Sequence, residues 1–356
     1  MFFLAGILGL MAVGGVAMMD LASGITTNED EDDLALDGNS DSMAGSDLAD
    51  SADQLDVAGM TGHALSVPDV SDKDPGPGLI LPGGAEDDLF IGGNGQDQLN
   101  GYAGHDMVLG GAGADDLHGA DGHDTLDGGF GADTLQGWNG DDQLLGRKGD
   151  DVLWGHGGSD RMSGGQGYDS LHGGEGDDLM SGGHQDDVVH GGLGNDLLYG
   201  GHGQDTLFGG WGNDTLVGQD DAVGRLSPDE LGHNIRDYLN GGGGDDLILA
   251  GTDDVVTPGE GEDHIVLEEQ TNSGSPVQVL DYDVTEDQLL IAWDIQNNPD
   301  PDIEVSQDPQ NSDLSRVSVN GIVIAHVQST DVIRPNDIIV VDRTGWPTLD
   351  ANRSGS

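Results

Sequence analysis

Between Gly83 and Val217 one apolar residue recurs at every ninth position, with polar or variable residues on either side of it. The stretch divides without a gap into fifteen phrases of nine residues, and the eighth position of each is apolar, from Phe90, Leu99 and Val108 through Met162 and Met180 to Leu207 and Leu216. One apolar residue in nine is too sparse for an amphipathic helix and too regular for a loop. The first position is always glycine, and the fourth is glycine in thirteen of the fifteen phrases, the exceptions being Glu86 and Gln185. The sixth never varies: it is Asp88, Asp97, Asp106, Asp115, Asp124, Asp133, Asp142, Asp151, Asp160, Asp169, Asp178, Asp187, Asp196, Asp205 and Asp214. The pattern predicts a six-residue turn, curled by glycines at positive φ, and a three-residue strand that sends the eighth side chain inward and the seventh and ninth outward. Two phrases then close one turn of a flattened coil. Phrases 18 residues apart stack as parallel strands about 4.8 Å apart, giving a rod of roughly 36 Å with the aspartates in two columns.

The frame breaks after Val217 for an insertion, residues 218–240, which ends in a degraded phrase, GHNIRDYLN (232–240). A full phrase, GGGGDDLIL (241–249), and a fragment, GEGEDHIVL (259–267), make residues 241–267 the terminal repeats, so Asp237, Asp246 and Asp263 join the aspartate set. Residues 268–345 alternate like ordinary strands, in VQVLDY (277–282), QLLIAW (288–293) and RVSVNGIVIAHV (316–327), whose Asn320-Gly321 signals a two-residue hairpin, and 346–356 form a tail. They predict a separate β cap over the open end of the array. Before the repeats, residues 1–24 are an apolar leader whose uncharged part, Met1 to Met19, is about 28 Å long if helical, near the thickness of a bilayer core. Residues 25–82, with NEDEDD (28–33) and DPGPG (74–78), read as a disordered acidic linker. The leader lacks the basic start of a signal peptide, which leaves signal, anchor and neither open.

Charge changes the picture most. The chain has 68 acidic against 10 basic residues, a formal net charge of -58, which excludes a nucleic-acid binder and makes a compact state repel itself unless cations join it. With no cysteine, neither disulfides nor thiolate metal sites can hold the fold. Carboxylates and turn carbonyls remain, and calcium takes 6 to 8 such oxygens in irregular geometry, whereas magnesium wants a smaller octahedron and keeps its waters.

The phrase GGxGxD followed by x, an apolar residue and x resembles the calcium-binding nonapeptide of RTX, or haemolysin-type, repeat proteins. The resemblance is dense over residues 83–217 and weak over 232–267. It implies an all-β fold, a right-handed parallel β-roll, with calcium held between adjacent turns by turn carbonyls and sixth-position aspartates. Asp169 would act with the turn of Asp187, and Asp178 with the turn of Asp196, giving about 13 inter-turn sites for fifteen phrases. The family further implies type I secretion, a C-terminal export signal and folding in extracellular calcium, a route from which the apolar leader departs.

Other features carry less. His118, His172 and His190 share the ninth position and could bind zinc or nickel, but the row has no carboxylate third ligand and exposed histidines are ordinary surface. Trp154 and Phe208 share that outward row, where they could dock the linker or a partner. Arg147-Lys148, the one basic pair in the repeats, reads as a local charge adjustment rather than an anion site. Outward threonines are too few for an ice-binding row. The chain has no HExxH zinc helix and no G-x-S-x-G elbow, and the 82 residues before the repeats are too short and polar for a catalytic domain. The sequence therefore reads as a non-enzymatic calcium-binding structural or interaction protein. It is either secreted and extracellular, with cell-surface or matrix partners, or anchored at the cell surface through residues 1–19, with a non-catalytic tail of a toxin or enzyme system ranked lower. At Gln185 a Cβ where glycine is expected should strain the turn by about 1 kcal/mol.

Overall fold

The computed structural model describes residues 64–66, 78–218, 236–268, 275–308, 311 and 313–342. The expected apolar leader, most of the acidic linker and most of the insertion lie outside these residues. The chain is an all-β solenoid of about ten turns, built from one 13-stranded and one 14-stranded sheet. Successive phrases alternate between the sheets, so each strand pairs in parallel with the strand one full turn away, as in Leu153↔Leu171 on one side and Met162↔Met180 on the other. The period-18 stacking expected from the repeat is the observed register.

The division of each phrase is the reverse of the expected one. A typical strand has six residues, such as Val152–Gly157 and Arg161–Gln166, and the turn between them only three, Gly158–Asp160. The strand takes in the seventh to ninth residues of one phrase and the first three of the next, because the second and third residues also pair across the stack, as in His156↔Gly174 and Gly157↔Glu175. Along Val152–Gly157 the burial alternates, with Leu153 and Gly155 inside and Trp154 exposed. All fifteen eighth-position residues are buried, and with Leu239, Ile248, Val256 and Ile265 they form one uninterrupted column of core.

The glycines serve two separate needs. Fourth-position glycines from Gly104 to Gly212 have φ between +126° and +157°, a region barred to most side chains. First-position glycines are not left-handed. At Gly155 a Cβ would collide with the Asp160 carboxylate of its own phrase and the Gly173 carbonyl of the next turn, so glycine is needed there for close approach. The second position, which looked unconstrained, has positive φ from Gly93 onward, and Tyr102, Ala120, Trp138, Arg147 and His156 adopt it without being glycine.

The C-terminal strands differ from the separate cap expected. Val277–Val279 pairs in parallel with Val255–Glu260, and Gln288–Trp293 with His264–Glu268, so both sheets run on through this region. Tyr282, Trp293, Ile324 and Ile338 belong to the same core cluster as the repeats. Ile322–Gln328 still pairs in parallel with Val277–Val279; only Leu314–Val319 runs antiparallel, to Ile322–Gln328 on one side through the Asn320-Gly321 hairpin, with φ of 52° and 81°, and to Ile303–Gln307 on the other. At the other end the roll starts before Gly83. Ile80–Gly84 pairs with Gln98–Ala103, and Ala64–Ser66, inside the region expected to be linker, adds a strand beside Leu89–Gly93.

Candidate metal centre: two columns of buried carboxylates

Each sixth-position aspartate closes a turn and points its side chain back under the glycines of its own phrase. Every one of the eighteen aspartates expected as ligands is buried, from Asp88 at 6% exposure to Asp205 and Asp263 at 0%. They fall into two columns, one along each edge. Within a column the backbone N–H of each aspartate donates to Oδ1 of the aspartate one turn on, so Asp142 donates to Asp160, Asp160 to Asp178 and Asp178 to Asp196, each at 2.8 Å. The expected pairs Asp169 with Asp187 (2.8 Å) and Asp178 with Asp196 are both brought together.

The columns cross the insertion without a gap. Asp205 donates to Asp237 and Asp214 to Asp246, at 2.8 and 2.7 Å across 32 residues. They then continue to two residues missed in the sequence, from Asp237 to Asp254 (3.0 Å) and from Asp263 to Asp287 (3.4 Å). Both missed residues keep the Asp-x-apolar signature, in Asp254-Val255-Val256 and Asp287-Gln288-Leu289, but lack the glycines before it.

Oδ1 is satisfied; Oδ2 is not. Sixteen of the column aspartates, running from Asp97 to Asp214 and then Asp246 and Asp263, have a buried Oδ2 without a hydrogen-bond partner. A buried carboxylate oxygen without a donor is costly, and one in every turn is no accident of packing. The aspartates at Asp88, Asp254 and Asp287 are built differently: their Oδ2 atoms accept N–H groups of Gly84 (2.9 Å), Gly251 (2.6 Å) and Asp283 (2.8 Å) in their own turns. These three close the turn by themselves. The sixteen with an unpartnered Oδ2 hold an oxygen ready for a cation.

Among the described residues no three His, Asp or Glu side chains group as a metal cluster, so a cation here must complete its shell with backbone carbonyls. The first glycine makes that possible, since carboxylate and carbonyl oxygens approach its bare α-carbon from two adjacent turns. An all-oxygen set of this kind is the chemistry calcium accepts. With no cation in place, burial pushes the carboxyl pKa values up, and neighbouring carboxylates in the column add to the rise, against a partial lowering by the N–H each accepts. Asp142, Asp178, Asp187 and Asp246 reach about 8, Asp115, Asp151, Asp196 and Asp205 about 7, and Asp106, Asp133, Asp160, Asp169 and Asp214 about 6.

A second, exposed ladder lies outside each column. Fifth-position side chains accept the N–H of the fifth residue one turn on, as Asp87 does from His105 (2.8 Å), Asp141 from Ser159 (2.9 Å) and Asp177 from Asn195 (2.7 Å). His105 and His123 take the same role through Nδ1, accepting the N–H groups of His123 and Asp141. The position had looked free because Asp, Asn and His all serve as the acceptor.

The minor candidates do not converge. His172 and His190 are one turn apart with ring centroids 6.0 Å apart, while His118 lies three turns away with Nε2 3.0 Å from Asp116. Arg147 pairs with Asp127 at 2.8 Å, and Lys148 sits 5.0 Å above the Phe130 ring, which is local charge adjustment. At Gln185 φ is 74°, and its Oε1 accepts from Gly167 N–H at 3.1 Å. That same N–H reaches the His184 carbonyl at 3.2 Å, where equivalent fourth-position glycines such as Gly158 and Gly176 manage 2.8 Å.

The model of the RTX calcium-binding nonapeptide repeat matches residues 82–117, 118–153, 154–189, 185–216 and 232–265, the same residues that carry the columns. No curated protein matches the chain.

Two outcomes are expected. These thirteen carboxyls have folded pKa values above the unfolded value, so the cation-free roll binds more protons than the unfolded chain, and its stability falls as pH rises from about 4 to about 8. Cation binding needs the ionised form and therefore strengthens over the same window with proton release; calorimetry in buffers of different ionisation enthalpy measures it, and a pH-independent, proton-neutral reaction contradicts it. The Gln185→Gly variant relieves the left-handed strain but gives up the Oε1 bond, so it should stabilise the cation-loaded protein by at most about 1 kcal/mol in denaturant titrations. A loss would show that the amide bond outweighs the strain.

Proposed function

Starting from the fact that this chain belongs to the RTX family of calcium-binding nonapeptide-repeat proteins, we propose that it is a secreted, non-enzymatic structural or interaction protein whose roll folds on calcium outside the cell. The observation that supports this most is the row of buried, unpartnered Oδ2 atoms. In a calcium-poor compartment these oxygens must be protonated or the roll must open. Bound calcium supplies the positive charge and oxygen coordination that they lack. Fifteen phrases provide about 13 inter-turn positions for such ions. The columns continue beyond them through Asp237, Asp246 and Asp263, and Asp97 to Asp214 act as ligands while Asp88 serves chiefly to close its turn. Because each turn contacts only its neighbours, binding should be cooperative, with affinities in the weak extracellular range of about 10⁻⁴ to 10⁻³ M.

Export through a type I channel fits a chain kept unfolded by its own charge until it meets calcium. The C-terminal strands, which carry both sheets to their ends, are where an export signal would be found. The alternative, a rod anchored in a membrane through residues 1–19, concerns a segment outside the described residues; among the described residues no helix is long and apolar enough to cross a bilayer. Fractionation separates the two, since an anchored form needs detergent for release.

Circular dichroism of the full chain should show little β structure in chelator and a strong β signal in millimolar calcium, appearing over a narrow concentration range. A β spectrum that persists in chelator at neutral pH would contradict the proposal.

A further inference from the structure

One flat face of the roll is aromatic and carries little charge away from its strand ends, where Asp121, Glu175 and Glu260 stand. On the 14-stranded sheet, from Gln98 to Thr257, the outward seventh and ninth positions include no Lys or Arg and one acidic residue, Asp116, which is bonded to His118 at 3.0 Å. In a chain of net charge -58 this is a segregated surface. The three exposed tryptophans among the described residues, Trp138, Trp154 and Trp211 at 44%, 38% and 66%, all stand on it; Trp293, the other described tryptophan, is buried in the core. Phe208 and Tyr238 extend the row.

The backbone bears strain to place some of these rings. Tyr102, Trp138 and His156 occupy second positions at φ of 74°, 77° and 75°, where the same sheet further on has Gly174, Gly192 and Gly210. Bulky residues held in the left-handed region point to a use for the side chain rather than to backbone convenience. Their neighbours fix the rings. Trp138 stacks on His156 at 4.6 Å and Trp154 on His172 at 4.0 Å, so these pairs stand as a ridge across successive turns. Trp211 instead lies over the bare α-carbon of Gly243, where a Cβ would come within 3.2 Å of the ring, and the side chain is 66% exposed beside Leu193 of the preceding turn. Between the rings the face carries uncharged hydrogen-bonding groups: Asn100, Thr134, Gln136, Thr206 and Asn240.

We propose that this face binds a neutral polysaccharide. A sugar chain presents C–H faces that pack on aromatic rings and hydroxyls that pair with amides and hydroxyls, the two kinds of group this surface alternates. An acidic polymer would lie between two carboxylate-lined edges and be repelled. An apolar protein partner would call for a continuous aliphatic surface, whereas here the exposed aliphatic side chains, Val188 and Leu193, stand apart among histidines, amides and threonines. The nine strands from Gln98–Ala103 to Val255–Glu260 make a platform about 38 Å long and about 20 Å wide, enough for an extended oligosaccharide to run along the ridge. This deepens the interaction reading above and rests on it only in requiring the calcium-folded roll.

The test uses the full chain in millimolar calcium against a panel of soluble neutral glucans, mannans, galactans and xylans, with hyaluronate as the acidic comparator. At least one neutral polymer should bind, and Trp154→Ala and Trp211→Ala should each weaken binding tenfold or more. Circular dichroism of the same samples shows whether the roll has folded, which separates failure of this proposal from failure of the calcium reading. Binding to no neutral polymer, binding to hyaluronate alone, or binding by both variants as tight as that of the unsubstituted chain overturns it. So does concentration-dependent self-association that both substitutions abolish, which would assign the face to a second copy of the chain.

Discussion

The roll depends on a carboxylate with one oxygen satisfied and the other left without a donor. Along the columns Oδ1 takes the backbone N–H of the turn before it and so sets the register of one turn on the next, while in sixteen of the aspartates Oδ2 is buried with nothing to bond. Stacked at about 4.8 Å, such groups repel one another and resist ionisation. Protons or cations can resolve the conflict, and cations take over from protons as pH rises through the carboxyl pKa values of about 6 to 8. The invariant first glycine belongs to the same device, because a side chain there would occupy the space that carboxylate and carbonyl oxygens share.

This explains how so thin a core suffices. One apolar residue per phrase forms a single buried column, far less than a globular domain of this length would bury. Hydrogen-bond ladders, both the buried one through sixth-position aspartates and the exposed one through the fifth, carry the stacking from turn to turn. The C-terminal strands supply what the repeats lack: Tyr282, Leu289, Trp293 and Ile324 give a denser core, and Ile303–Gln307, paired outside the hairpin, ends the 14-stranded sheet. Keeping charge sparse on the 14-stranded face leaves that face free for contacts that the edges would repel.

Much of this was legible in the sequence because the repeat is strict. The period of 18, the inward eighth residue, the paired columns and the Asn320-Gly321 hairpin all follow from spacing and turn chemistry. The strand boundaries did not, since glycine reads as turn whether it curls, as Gly158 does, or sits extended for close approach, as Gly155 does. Asp254 and Asp287 were missed because their turns close by accepting their own N–H groups and so need no glycine-rich phrase before them. The strained second position was hidden because Tyr, Ala, Trp, Arg and His replace glycine there, and residue type alone does not report φ. The continuity of the last strands with the roll was invisible because pairing across sheets depends on contacts distant in sequence.

The difference between Asp160, whose Oδ2 is unpartnered, and Asp254, whose Oδ2 is bonded within its own turn, gives the most direct test. Equilibrium dialysis of calcium against the Asp160→Asn and Asp254→Asn variants counts bound ions per folded chain. The account predicts that Asp160→Asn binds fewer ions, or needs markedly more calcium to fold, while Asp254→Asn keeps the full complement. Equal binding by both variants would contradict it.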